Sequence, residues 1–477
     1  MDNNEMPDTS SDTAEVISDA ELIRQEANVA EAKIIPDPKT FQPKANKYFT
    51  LAMSINGGRE CKEFLYCLED EKFYQYTEGY WRGMGETEFR GILENRMSKM
   101  IALPVGSRKQ VIENFRGIAQ RHADLFNWCE MVNLENGMLN PNTGMLEEHG
   151  AMYYSTNRLP YKYDPEAKCE LWIKSLNEIL ENNQQKIGLL QEFFGYCLTR
   201  ETKQHKALLL LGESRSGKST ILSILSHLVG DANCSSVPLK DVKNSQHTPD
   251  LINKIVNIDY DVSVKAVEFE DEFKKITGGE PIRVNQKYVA SFSFRPYCKL
   301  AMSANIFPKI TDHSSAFYTR LMLIPCDRIF SDEEQNRDLP KQLIVELPGI
   351  LNWVLEGLRR LKKRGKFEQL DFMRDAVEEL ENENNPTNLF FDDYIEVKAD
   401  TVTYIDKGEL YEHYKRWAER TKNYPLSAAR FASCVFKRFH KVTPKNCRLQ
   451  YGGKRIWRCL QYVEDKKQVG KPVDWAE

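Results

Sequence analysis

Residues 207–211 are apolar at every position, and the stretch 220–228, after an intervening polar loop, carries apolar residues at helical spacing. This pattern predicts a buried parallel strand, a loop and an amphipathic helix. Two further short runs, KIVNIDYD at 254–261 and CKLAMSAN at 298–305, are apolar until they end in polar residues. Short apolar runs alternating with polar helices over 203–330 predict an α/β domain. Upstream, the aromatic-rich segment 61–84 reads as short strands and 86–101 as a helix. Residues 135–150 read as a hairpin turning at Asn140–Gly144, and 172–199 as helix in at least two pieces. Downstream, 339–365 reads as a helical, lid-like segment closed by Gly365, and 371–388 as a linker or surface helix rich in Glu and Asn. Residues 389–463 read as a small α+β domain. Helices over 409–420 and 427–439 precede a hairpin turning at Gly452-Gly453, an order that suggests a winged helix. No internal repeat is visible.

Composition narrows the class. A chain of 477 residues with 41% hydrophobic content supports several domains. No apolar stretch approaches the ~20 residues of a membrane span. The first residues are acidic and lack an apolar core, so they do not read as a secretory signal. The eleven cysteines are scattered without a C-x-x-C pair. That usage argues against a zinc site or a disulfide framework and for a reducing cytosol. The net charge of −4 hides a polarity: residues 1–40 carry −7 and residues 407–462 carry +11. Such a chain pairs an acidic, disordered tail over 1–44 with either a basic nucleic-acid-facing module or an ordinary solvated face.

The loop between the predicted strand and helix reads GESRSGKS, a complete G-x-x-x-x-G-K-[ST]. In strand–loop–helix context its backbone N–H groups and the helix N-terminus suit a polyphosphate. The candidate cradle is Gly212, Glu213, Ser214, Arg215, Ser216, Gly217, Lys218, Ser219 and Thr220. Lys218 would reach the β- and γ-phosphates of ATP, and Ser219 would ligate Mg²⁺. Two carboxylates, Asp259 and Asp261, close the run 254–261 and, at strand spacing, point to one face. Asp261 reads as the water-activating group and Asp259 as support for the metal. Asn305, ending the next apolar run, would orient the lytic water. Between these lies a predicted hairpin whose tip carries Lys287 and Tyr288, a cation for phosphate and a ring for a base. Arg320 precedes another apolar run and could reach a neighbouring subunit's γ-phosphate. Lys437 and Arg438, on the helix 427–439, are candidates for duplex phosphates.

The order of phosphate loop, carboxylate strand, hairpin, Asn-ended strand and arginine resembles the superfamily 3 helicases. The segment from ITGGEPIRVNQKYV to AFYTRLMLIPC looks like their phage/plasmid primase–helicase branch, related to the poxvirus-type NTPase. The likeness runs over about residues 45–463. It implies an AAA+-like P-loop ATPase core over 203–330, with a mixed, then helical, pre-helicase oligomerisation domain over 45–202. A lid and linker over 331–388, a basic winged-helix-like domain over 389–463 and a tail over 464–477 would follow. By resemblance the phosphate loop, Asp259 with Asp261, sensor Asn305, pore-hairpin Lys287 and arginine finger Arg320 keep their places. Members commonly have Glu where Asp261 stands, some have His where Tyr288 stands, and many have a second arginine where Thr319 stands. The resemblance implies a homo-hexameric ring moving 3′→5′ on single-stranded and forked DNA in a bacterial host cytosol. Because the tail is too short and too acidic for a primase, a separate primase and other replication proteins are the expected partners. The alternative is a replication initiator that reads an origin through its C-terminal domain and uses ATP as an assembly switch.

Overall fold

The structure is a computed structural model that describes residues 52, 56, 63–100, 105–242, 244, 246–262, 270–284, 292–306, 315–384, 386–398, 403–421, 424–439, 447–448 and 455–463. The tails 1–44 and 464–477, Lys287, Tyr288 and the side chain of Lys437 lie outside this description. The chain divides into two compact units: 1–262 with 269–306 and 326–368, and 263–268 with 307–325 and 369–477.

The first unit opens with β1 (Phe64–Cys67), β2 (Phe73–Thr77) and β3 (Tyr80–Met84), the aromatic-rich segment. They form an antiparallel meander, and β4 (Gln120–Arg121) adds to β1 in parallel. Alternation along these strands sends Phe64 and Phe73 inward against α1 (Glu86–Met100) and α2 (Val105–Ala119). Phe73 stacks on Phe89, with ring centroids 3.7 Å apart. A second antiparallel group, β5 (Val132–Leu134), β6 (Gly137–Leu139) and β7 (Leu146–Glu147), contains the expected hairpin. Gly137 is required there: at φ +150° a Cβ would lie 2.3 Å from the Glu147 carbonyl oxygen.

Helices α3 (Glu170–Ile179) and α4 (Gln184–Cys197) follow, and the Asn183 side chain caps α4 by accepting from the N–H groups of Gln185 and Lys186. The mixed α/β centre then begins. Here β8 (Ala207–Leu211), α5 (Lys218–Val229), β9 (Cys234–Ser235), β10 (Val256–Asp259), α6 (Glu270–Gly278), β11 (Ile282–Val284), β12 (Phe292–Phe294) and β13 (Lys299–Ala304) occur in that order. Strands β8, β13, β10 and β9 stand side by side in this sequence, all parallel. All but the last residue of β8, and every residue of β13, is buried, which is why both read as continuous apolar runs rather than alternating ones. Strands β11 and β12 pair antiparallel. The helices of 339–365 end this unit, and the longer one packs along α4 with Gly195 and Gly357 at the closest approach. There the buried Glu192 carboxylate accepts from Arg360 and Arg364 of that helix. Gly365 stops it at φ +77°.

The second unit holds the helix Ser315–Tyr318, the strand Leu321–Pro325 and the described residues beyond 369. Helices Asp371–Asn384, Pro386–Tyr394, Lys407–Arg420 and Ala428–Phe439 accompany two small antiparallel sheets. One of these places Tyr404–Asp406 and Cys447–Arg448 on either side of Arg455–Arg458. Phe390, Tyr414, Trp417, Phe431 and Trp457 make the core, with the Tyr414 and Phe431 rings stacked at 4.3 Å. Among the described residues no helix is long and apolar enough to cross a membrane.

Candidate functional site

The carboxyl ends of β8, β13 and β10 lie next to one another, the position where open parallel sheets bind ligands. Local sequence shapes the first of these ends. Gly212 donates its N–H to the Ala304 carbonyl (3.2 Å), and a Cβ on it would fall 2.2 Å from the Cys326 carbonyl oxygen. Only glycine fits that approach. The loop turns through Arg215 at φ +67° and Gly217 at φ +84° before α5 begins. Ile221 is the first residue to donate down the helix, to the Gly217 carbonyl at 3.2 Å, and no side chain caps the turn. The preceding N–H groups of α5 have no partner within the helix, which makes this end a ready anion site.

Lys218 is 7% exposed, and its ammonium donates to the carbonyls of Gly212 (2.7 Å) and Glu213 (2.6 Å) and to Ser216 Oγ (3.0 Å). Burial lowers its pKa, while the nearby Cys326, Glu213 and Asp261 act the other way. Three neutral acceptors hold a cation that an anion would hold better.

A cavity of about 660 Å³ opens over this loop, within the range of small-molecule sites. Residues 214–220 line it together with Tyr260, Asp261 and Asn305. Its other walls are the α3 face carrying Leu171, Ser175 and Ile179 and a segment containing Phe330 and residues 334–337. Asn305 reaches the loop directly, donating from Nδ2 to Ser214 Oγ at 3.2 Å.

The two aspartates have different surroundings. The Asp261 carboxylate is exposed and faces the cavity. Asp259 Oδ2 accepts the Leu239 N–H at 2.7 Å, and its Oδ1 accepts the Asp261 N–H at 3.4 Å, so this side chain braces the 239–241 turn. Strand β10 ends at Asp259, and past that point strand alternation no longer fixes where Asp261 points. Among the described residues no group of three His, Cys, Asp or Glu is arranged to hold a metal ion. The Ser219 hydroxyl and the Asp261 carboxylate on one cavity are nonetheless the oxygen donors that Mg²⁺ takes when phosphates and water complete its shell.

The remaining candidates stand elsewhere. Arg320 lies in the second unit, after the helix Ser315–Tyr318, and its N–H donates to the Phe317 carbonyl at 3.0 Å. Arg438 pairs with Asp392 at 2.6 Å on the surface of the second unit. Sequence reasoning missed the α3 face and residues 330–337 as cavity walls. Leu171 and Ile179 belong to an ordinary amphipathic helix pattern, and nothing in the 330–337 sequence signals a site.

Comparison with known proteins adds three findings. Residues 58–181 match the family described as D5 N terminal like, and residues 210–320 match a family of unknown function, DUF5906. Together these point to a phage primase–helicase-like protein family. The chain also shares its fold with two apo structures of the NrS-1 C terminal region. One superposes with a TM-score of 0.52 at 11% identity over 88% of this chain and 100% of that one. The other gives 0.53 at 12% identity over 87% and 99%. At such identities the likeness concerns the fold alone. No curated protein matches the chain.

Proposed function

We propose that this chain is an ATP-driven DNA helicase of a mobile element's replication machinery, working as a homo-oligomeric ring in a bacterial host cytosol. The observation that carries the reading is the convergence of buried Lys218, Ser219, Asp261 and Asn305 on one cavity at the carboxyl ends of parallel strands. Lys218 would leave its three loop acceptors for the β- and γ-phosphates of ATP, with the N–H groups of residues 213–219 cradling the chain. A Mg²⁺ ion, when bound, would supply positive charge against the phosphates. Ser219 would hold that ion from the loop side. Asp261, the carboxylate on the cavity, would accept a proton from the attacking water, and Asn305 would orient that water. Asp259 would keep the end of β10 and the 239–241 turn in register. Arg320 would serve the site of a neighbouring subunit, and Lys287 with Tyr288 would grip single-stranded DNA. The AAA+-like core over 203–330, the winged-helix-like domain over 389–463, 3′→5′ movement and a separate primase belong to the same reading.

The test combines ATP hydrolysis, strand displacement on forked DNA of both polarities and the mass of the assembly in solution. Lys218→Ala is expected to lose hydrolysis, and Lys287→Ala to hydrolyse without unwinding. A wild-type protein that stays monomeric with DNA and ATP, or an Lys287→Ala protein that unwinds normally, would count against the reading.

An initiator role is favoured by the +11 charge over 407–462, a span whose described residues include two helices and part of a small antiparallel sheet. Arg438 would have to exchange Asp392 for a phosphate, while Lys437 would contact the same duplex. Sequence-specific footprints that vanish on deleting 389–477 would support this role. Binding that weakens with salt and ignores sequence would support the motor alone.

A further inference from the structure

Residues 327–338 follow Cys326, and five of them, Phe330 and 334–337, line the cavity. We propose that this segment is a strap that retains nucleotide, and that the phosphate loop itself fastens it through Arg215 and Asp332. The inference rests on the nucleotide reading above.

Two contacts join strap and loop at the same residue. The Phe330 N–H donates to the Arg215 carbonyl at 3.0 Å, and the Arg215 guanidinium meets Asp332 Oδ1 at 2.8 Å. Arg215 sits in the left-handed region at φ +67°, a conformation that is sparsely populated for a residue with a Cβ. Such conformations persist where surrounding contacts determine them, and they cluster at ligand clamps and switches. Here the left-handed turn carries the side chain of residue 215 to the strap, whereas Lys218 turns into the loop.

The strap is also organised within itself. At its base, Asp327 pairs with the buried Lys186 at 2.9 Å. Arg328 lies over the Phe330 ring (4.4 Å), pairs with Glu334 (3.0 Å) and reaches the Glu178 carbonyl of α3 (3.4 Å). Glu334 in turn accepts the Ser331 N–H at 2.9 Å. The base is tied by a buried cation, the middle by an arginine clamp, and the segment is joined to the phosphate loop through Arg215. Opening is therefore expected by release at Arg215–Asp332, the most exposed of these ties. A phosphate-bound loop that holds residue 215 in place would hold the strap closed with it. Asp332 touches neither phosphate nor metal in this scheme, so it is a positioning residue.

Stopped-flow release of a fluorescent ATP analogue from the full-length protein tests the proposal. Asp332→Asn is expected to speed release about two- to fivefold, the scale of an exposed ion pair. Asp332→Lys, which opposes Arg215 with a like charge, should be faster still, and Asp332→Glu should return to the wild-type rate. The difference between the wild type and Asp332→Asn should shrink near 0.5 M salt, where the Debye length is about 4 Å, and turnover at saturating ATP should change less than the KM. Equal release rates across wild type, Asn and Lys variants, with analogue bound by all three, would overturn the strap while leaving the nucleotide site standing. A wild type that binds no analogue would overturn both.

Discussion

Two lysines of the first unit are equally hidden and differently placed. Lys218 is 7% exposed and Lys299 3%. Lys218 sits at the rim of a cavity, on a loop whose acceptors are all its own neighbours. Lys299 opens β13 and joins separate elements: its ammonium donates to the carbonyls of Thr199 (2.9 Å) and Tyr297 (2.8 Å) and lies 4.4 Å from the centre of the Tyr196 ring. Desolvation lowers both pKa values, that of Lys299 to about 8. Burial alone therefore does not mark a functional cation. What distinguishes Lys218 is an open side facing an anion-sized space, whereas Lys299 closes the seam between the end of α4 and the sheet.

This contrast can be broken by substitution. Lys218→Ala should lower ATP turnover by at least about a hundredfold with little change in melting temperature, since electrostatic groups aimed at developing charge contribute on that scale. Steady-state hydrolysis beside a thermal scan checks both halves. Lys299→Met should do the reverse. It leaves the Thr199 and Tyr297 carbonyls without their donor, at about 1–3 kcal/mol, and should retain turnover per folded molecule.

The aspartates sharpen the same point. Asp261→Asn should cost about a hundredfold in kcat, the range for a positioned general base. Asp259→Asn should lose the charge of an acceptor for the Leu239 N–H, and should show mainly as a lower denaturation midpoint. Kinetics and urea titration on the pair separate these outcomes, and a larger kcat loss in Asp259→Asn would reverse the assignment.

The smallest effect is a pH dependence. Lys299 titrates near 8 in the folded protein and near 10.4 when unfolded, so between these values the unfolded chain holds a proton that the folded one has released. Stability contributed by this group therefore rises with pH through that window and is lost as pH falls toward 8. Denaturation at about pH 7.5 and 9.5 should show wild type gaining on Lys299→Met, the difference cancelling the buried thiols and phenols, which titrate the other way.

Legibility from sequence followed the range of the interactions. The apolar run 207–211, the GESRSGKS loop and the helical spacing of 220–228 appear in the structure as β8, the glycine-pinned turn and α5, because the residue pattern of each is written within a few positions. The hairpin 135–150 and the helices at 172–199 were readable for the same reason. The side chain of Asp259 was not. Its carboxylate is directed by the Leu239 N–H, twenty residues away, which only the pairing of β9 with β10 brings near.

The sequence by itself determined the order of strand, loop and helix over 207–228, and which residue types could meet a triphosphate, since backbone preference and hydrophobic period act over a few residues. Tertiary structure alone decided that Asp261 rather than Asp259 faces the cavity, that α3 and the segment 327–338 wall it, and that Lys299 is sealed while Lys218 is not. Those outcomes depend on contacts between residues far apart in the chain, and no local pattern encodes which distant carbonyl or guanidinium will arrive.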